Sequence, residues 1–374
     1  MEIRELDIFG WEKVYLKEIY GNFIAIIAIH STKRGPALGG CRFYHYENHR
    51  AKSALALEDV LRLSRGMTYK AVAGNLPLGG GKAVIISEFY ELLPDVRRSL
   101  FESFGDFVEQ LKGDYITAED VGTRVEDMKI VSERTKYVVG LPESMGGLGD
   151  PSPVTAIGVF TAINYITEKI LNKEPSRTTI LLQGIGKVGS YLLEHLYNEG
   201  YQIYISDVSP KAVENALNKY KNLKYVPPDE VFEKEFDIFS PNALGKVINS
   251  KNVEKIKHKA IVGAANNQIE NYDVAQKLQD RGIIYAPDYA INLGGLTLVY
   301  YEYELRIGKQ TNQEIAKKIA IEKTKENVIK NLNEIFEIAN RTNKSPAIVA
   351  DEIFENRLKW KSLVLSVEED QLLV

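Results

Sequence analysis

The chain has 374 residues, of which 44% are apolar and 26% charged, and its formal net charge is −4. That length calls for two hydrophobic cores, and the composition is that of a globular protein, neither disordered nor fibrous. The acidic balance leaves no cationic excess for nucleic acid, and the single cysteine, Cys41, excludes an internal disulfide and a cysteine-rich metal site.

In chain order, the first five residues lack a basic segment running into an apolar one, so no signal peptide is read and a cytoplasmic location is expected. Residues 23–30 form a β-branched strand candidate whose apolar run falls far short of the roughly 20 residues that span a bilayer, so no membrane contact is expected. Two glycine-rich stretches, 35–40 and 79–82, interrupt this region. Between them, Ala54, Leu57, Leu61 and Ser64 recur at helical spacing, which predicts a helix over 51–64. His45 and His49 stand four apart without the glutamate pattern of a metal-binding pair, and no metal is expected. Residues 140–153 are dense in Gly and Pro and read as the loop between two domains. A helix over 154–171 follows, with Ser152 as its cap and Pro153 as its first residue.

Beyond this point the period changes. Short apolar runs at 178–182, 202–205, 236–239, 260–262 and 282–286 alternate with helical segments, which predicts a parallel sheet covered on both faces. The last ~50 residues read as wholly helical and, lacking a strand, are expected to return to the first domain. The expected architecture is α/β with two domains. The first, residues 1–140 with 335–374 packing back on it, is an α/β substrate-binding and oligomerisation domain. The second, residues 141–334, is a doubly wound Rossmann-type domain.

Gly184-Ile185-Gly186-Lys187-Val188-Gly189 stands between a strand and a helix. Its first glycine permits the tight turn, its second lets the backbone approach a pyrophosphate, and its third allows helix and strand to pack closely. The helix N-terminus offers unpaired N–H groups to the phosphates. The next strand ends at Asp207, where an acid binds the adenosine ribose, and its charge would repel a 2′-phosphate. NAD is therefore expected in preference to NADP, although Lys211 lies nearby. The bland reading is a turn that only reverses the chain.

A Rossmann unit names a cofactor and leaves the reaction open. Lys82 follows three glycines and precedes the apolar run 83–86, so free solvation is not expected. Burial lowers an ammonium pKa toward ~7–8 in functional cases, which makes lysine usable as a base near neutrality. A phosphate-binding loop is excluded twice: Leu76 stands where its first glycine belongs, and Ala83 replaces the magnesium-binding hydroxyl. A plain surface lysine is the alternative. Asp120 leaves an apolar strand just before Gly122, a setting that suits a proton carrier and equally a turn residue.

These segments together resemble the glutamate/leucine/phenylalanine/valine dehydrogenase family, and within it the leucine dehydrogenases most. The likeness rests on Gly35-Pro36-Ala37-Leu38-Gly39-Gly40-Cys41-Arg42, on 66–71 and 79–86, and on Thr117-Ala118-Glu119-Asp120-Val121-Gly122. It extends through Gly263-Ala264-Ala265-Asn266-Asn267-Gln268 and residues 286–295. The resemblance implies an NAD-dependent oxidative deamination of an L-amino acid in a cleft between the domains, with domain closure excluding water and a homo-oligomer built through the first domain. It implies that Lys70 pairs with the substrate carboxylate beside Gly39 and Gly40, that Lys82 activates water, and that Asp120 shuttles protons to the departing ammonia. Asn267, with Asn266 beside it, would hold the nicotinamide carboxamide, and Thr155 would sit near the cofactor.

By the same resemblance Leu38, Ala118, Leu296 and Val299 line the side-chain pocket. Four apolar walls cannot satisfy a buried carboxylate, so glutamate should be rejected. Leu296 is larger than the valine usual in leucine dehydrogenases and Ala118 replaces a glycine, which favours leucine, valine or isoleucine over phenylalanine or tryptophan. Two rivals remain, a 2-hydroxy-acid dehydrogenase and an NAD-sensing protein. No histidine sits in a setting suited to the first, and the second has no need of Lys82 and Asp120.

Overall fold

The computed structural model describes residues 2–46, 51–89, 91–243, 245–309 and 311–371, with side chains as far as 359; His49 lies outside them. The chain divides into two units, the first comprising Met1–Asp150, Leu298–Lys318 and Asn356–Val374, the second Pro151–Thr297 and Ile319–Glu355.

The first unit holds strands β1 (Arg4–Leu6), β2 (Lys13–Ile19), β3 (Phe23–Ser31), β4 (Ala37–His45), β5 (Gly79–Ser87) and β6 (Tyr115–Glu119), with helices α1 (Lys52–Ala73), α2 (Pro94–Gln110) and α3 (Val125–Ser132). The sheet order is β1-β2-β3-β5-β4-β6. The pairs from β1 to β5 are antiparallel, while β4 runs parallel to both β5 and β6. Side chains alternate between the two faces with period two. Ala25, Ile27, Ile29, Cys41, Phe43, Ala83 and Ile85 pack with Phe101, Phe104 and Phe107 of α2 and Met128 and Val131 of α3. Ile26, Ala28, Val84 and Ile86 pack with Ala56 and Val60 of α1 on the other face. This parity puts Lys82 on the α1 face.

Both glycine-rich stretches, expected as interruptions, open strands: 37–40 begin β4 and 79–82 begin β5, with Gly35 and Pro36 in the bend before β4. A Cβ at Gly39 would lie 1.7 Å from the Gly81 carbonyl oxygen, and one at Gly80 would lie 2.1 Å from the Thr68 nitrogen of α1. Glycine is therefore required for the close approach of neighbouring backbones, not for a turn. Helix α1 also runs nine residues past its expected end, to Ala73.

The second unit is built on β7 (Thr179–Gln183), β8 (Gln202–Ser206), β9 (Lys224–Tyr225), β10 (Ile238–Pro241), β11 (Ala260–Ile261) and β12 (Ile284–Tyr285). The sheet order is β12-β11-β10-β7-β8-β9 and every pair is parallel. The order reverses direction at β7, so the loop after β7 sits at the topological switch point where such sheets bind ligands. Helices α4 (Ser152–Tyr165), α5 (Lys187–Glu199), α6 (Pro210–Lys219), α7 (Tyr272–Asp280) and α8 (Asp288–Ile291) alternate with the strands, and α9 (Gly294–Arg306), α10 (Gln313–Thr342) and α11 (Pro346–Gln371) follow. The cap of α4 is Pro151, not Ser152, which is the first helical residue. Pro153 stands second, and the Thr155 N–H donates to the Pro151 carbonyl at 3.1 Å.

The tail is wholly helical, but it divides differently from the expected 335–374. Residues 298–318 belong to the first unit because the buried Glu302 carboxylate accepts the Leu141 and Leu148 N–H groups, each at 3.0 Å. Residues 319–355 belong to the second. There the Tyr165 hydroxyl donates to Asn333 at 2.8 Å, and the Tyr272 and Tyr289 hydroxyls both donate to Asp351. No helix among the described residues is long and apolar enough to cross a membrane.

Candidate active site

Strand register assembles one cluster in the first unit. Cys41 pairs with Ala83 and Gly40 with Ala118, so Gly40, Lys82 and Ala118 stand side by side across β4, β5 and β6. The strand neighbours of Lys82, Ala28 on β3 and Gly40 on β4, are small and leave room above the sheet for the long lysine side chain. Lys82 is 7% exposed, and its Nζ forms an ion pair with Asp120, the first residue after β6. Lys70 occupies the last turn of α1, on the same side of the sheet, and is half-buried. Leu38 and Ala118 are buried on this face, and Val299 is buried on the α9 segment of the first unit. Leu296 is buried too but belongs to the second unit.

Asp120 is held from several directions. Its own N–H donates to the Thr123 hydroxyl at 2.7 Å, and that hydroxyl donates to the Cys41 carbonyl at 2.9 Å, fixing the turn to β4. Burial pushes the Asp120 carboxyl up, but the Lys82 and Arg42 charges, the Lys82 hydrogen bond and the Val121 N–H outweigh it and hold the group below its ordinary range. It is a carboxylate at neutral pH. Behind the glycines, the buried Tyr115 hydroxyl donates to the Gly39 carbonyl at 2.5 Å.

Sequence reasoning missed Arg42 as a site residue. Its Nη1 lies 2.7 Å from Asp59 on α1, and its Nη2 lies 3.9 Å from Asp120. The available signal was its position two residues after Gly40, on the same face of β4.

The second cluster surrounds the fingerprint loop. Gly184 has φ +92°, and a Cβ there would lie 3.0 Å from Ala243. A Cβ at Gly189 would lie 2.0 Å from the Gly184 carbonyl oxygen. These two glycines hold the turn and the helix contact. Gly186 differs: a Cβ there would meet nothing within 4 Å, so its backbone faces open space, as close approach of a pyrophosphate requires. Ile185 and Val188 are half-buried and Lys187 is exposed at the start of α5. Asp207 accepts the Ile185 N–H at 2.7 Å and the Ser209 N–H at 2.8 Å. It also borders an open pocket of about 590 Å³ lined by Val208, Pro210, Leu217, Tyr225 and Pro228. The apolar walls, with the Asp207 and Glu214 carboxylates among them, suit a flat aromatic base attached to a ribose. Tyr225 and Pro228 carry no motif, and their place in this pocket follows only from the β8–β9 pairing.

Asn266 and Asn267 are exposed on the loop after β11, with Asn267 in the left-handed region at φ +53°. Two buried amides, Gln268 and Asn292, shape this loop. Gln268 donates to the Gly263 and Ala265 carbonyls at 2.7 and 2.9 Å, and Asn292 donates to the Ala264 carbonyl and the Asn266 side chain, both at 3.0 Å. Thr155 lies in the first turn of α4, where a Cβ at Gly295 would come within 2.8 Å of its hydroxyl.

Residues 14–137 match the family model "Glu/Leu/Phe/Val dehydrogenase, dimerisation domain", and residues 205–355 match "Glutamate/Leucine/Phenylalanine/Valine dehydrogenase". The chain is 38% identical over 356 residues to leucine dehydrogenase of Bacillus subtilis (strain 168), covering 95% of this chain and 93% of that one. It is 40% identical over 336 residues to leucine dehydrogenase of Thermoactinomyces intermedius, covering 90% and 87%. The crystal structure of L-tryptophan dehydrogenase from Nostoc punctiforme superposes with a TM-score of 0.75 at 37% identity, covering 94% of this chain and 97% of that one.

Proposed function

This chain belongs to the Glu/Leu/Phe/Val dehydrogenase family, and on that premise we propose that it oxidatively deaminates a branched aliphatic L-amino acid, using NAD⁺. The observation that carries this reading is the buried contact between Lys82 and Asp120. A cation and a carboxylate held together away from water can divide two proton tasks between them.

The open backbone at Gly186, the N-terminus of α5 and the carboxylate of Asp207 suit a dinucleotide. Bound there, NAD⁺ supplies the hydride acceptor. The first unit supplies the rest. Lys70, on the same face as Lys82, takes the substrate α-carboxylate beside Gly39 and Gly40. A substrate ammonium arriving next to Asp120 adds a further cation beside Lys82 and Arg42, which favours release of the Lys82 proton. The substrate ammonium first gives a proton to Asp120, and the neutral amine that remains gives up its Cα hydride, leaving an iminium. Lys82 takes a proton from water as the water oxygen adds to Cα, and Asp120 returns its proton to the nitrogen. The C–N bond then breaks as the hydroxyl proton passes to Asp120, with ammonia leaving and the 2-oxo acid remaining. Asn267 and Asn266 would orient the nicotinamide carboxamide, and Thr155 would lie beside the cofactor.

Leu38, Ala118, Val299 and Leu296 are all buried and apolar, which supports an uncharged substrate side chain. The family description "dimerisation domain" for residues 14–137 supports a homo-oligomer built through the first unit. An aromatic substrate is the second reading, favoured by the tryptophan dehydrogenase likeness.

NADH formation across L-leucine, L-valine, L-isoleucine, L-phenylalanine, L-tryptophan, L-glutamate and the matching L-2-hydroxy acids tests these readings. The expected order places the aliphatic amino acids first, with glutamate and the hydroxy acids inactive. A tenfold or greater preference in kcat/KM for an aromatic substrate would transfer the assignment to the second reading.

A further inference from the structure

Asp120 is set by more than its lysine partner. Arg42 points to the α1 face of β4, where its guanidinium reaches two carboxylates: Asp59 at 2.7 Å through Nη1 and Asp120 at 3.9 Å through Nη2. Asp59 is itself fixed, accepting the Tyr46 hydroxyl at 3.1 Å and Arg62 at 3.0 Å. The Arg42 and Asp59 side chains are only 19% and 14% exposed, so the pairing is shielded from solvent. The Arg42 Nε is buried without a hydrogen-bond partner among the described residues. That is a cost the fold tolerates when the rest of the planar fork is committed elsewhere.

We propose that Arg42 is a positioning residue that fixes the Asp120 carboxylate opposite Lys82. This inference rests on the reading that the Lys82–Asp120 pair acts on the substrate. The groups that act on Asp120 are Lys82 from β5, Arg42 and Cys41 from β4, Tyr115 from β6 and the adjoining Val121 N–H. Burial pushes the Cys41 thiol and the Tyr115 hydroxyl well up, so both are neutral at working pH. Arg42 is thus the second cation on Asp120, anchored by Asp59 so that it cannot swing away. Removing a fixed positive charge tightens proton binding at both members of a coupled pair. The sign of the effect is therefore the same whichever member titrates.

The test compares pH profiles of kcat/KM for deamination by the full-length wild type and the Arg42→Gln variant, alongside NADH affinity by fluorescence. The acidic limb is expected to move upward by about one pH unit, with NADH affinity unchanged. A limb that superposes on the wild type, or an effect confined to NADH affinity, would overturn the inference. Should Arg42→Gln not fold, Arg42→Lys is measured the same way. Its shorter ammonium keeps the Asp59 pairing but lies farther from Asp120, so a smaller upward shift is expected and superposition again overturns the inference. Asp120→Asn separates the two levels. Near-wild-type turnover in that variant defeats the catalytic reading itself, whereas lost turnover with an unmoved Arg42→Gln profile defeats only the role of Arg42.

Discussion

At Asp207 one carboxylate has a structural task and is proposed to have a second. Its charge and place at the end of β8 suit the adenosine ribose, and its oxygens already accept the N–H groups of Ile185 and Ser209. The spacing from Gly184 is what suggests the ribose contact. It says nothing of the loop contact, which depends on how tightly the loop after β7 closes onto β8, with the Gly184 N–H donating to the Ser206 carbonyl at 2.8 Å. Asp207→Ala should therefore weaken both NAD⁺ and NADP⁺ through the loosened loop. NAD⁺ should lose more, since only it loses a ribose partner without also losing a repulsive charge. Isothermal titration with both cofactors checks this; equal losses would leave Asp207 with only its loop contact. Other single residues show the same split. Lys82, Asp120 and the glycines stand out by their local setting, whereas the partners of Arg42 and Asn292, at Asp59, Asp120 and Ala264, lie far off in sequence.

Among the elements, the strands of the second unit were readable because both faces are buried and each appears as a short apolar run. β4 and β5 read as glycine interruptions because their glycines answer to neighbouring backbones, at Gly81 and at Thr68, that lie far off in sequence. A cluster at the start of β7 and β10 carries a stability consequence. Asp237 accepts Lys173 at 2.7 Å, the Thr179 N–H at 3.0 Å and Lys259 at 2.9 Å. Burial pushes its carboxyl up, but these donors outweigh it and bring the pKa down to about 2. Because the folded value is depressed, the stabilisation is fully present above the unfolded value of ~3.9 and is lost as pH falls through about 2. Asp237→Asn should lower stability by on the order of 2 kcal/mol at pH 7. In urea unfolding the gap from the wild type should close toward pH 2, and a gap independent of pH would contradict the charge argument.

For the molecule as a whole, the two-domain division was legible in the Gly- and Pro-rich segment 140–153, but the path of the tail was not. Its helices have no strand period to follow, and their assignment depends on polar contacts such as those of Glu302 and Asp351. Glu302 is fully buried, and burial pushes its carboxyl up against the pull of the Leu141, Leu148 and Gly140 N–H groups and of Arg306. Glu302→Ala removes the acceptor and leaves buried donors unpaired. Hydrogen exchange should then accelerate at the amides of Leu141 and Leu148 while β7 and β8 keep their protection. Unchanged protection at 141 and 148 would mean that the loop holds itself.

The proposed chemistry turns on one amine. Lys82→Met keeps the length and burial of the side chain and removes its nitrogen. With saturating L-leucine and NAD⁺, NADH formation in this variant should fall by a factor of about 10³ or more while NADH affinity stays at the wild-type value. Turnover within tenfold of the wild type would contradict the assignment of the chemistry to the Lys82–Asp120 pair.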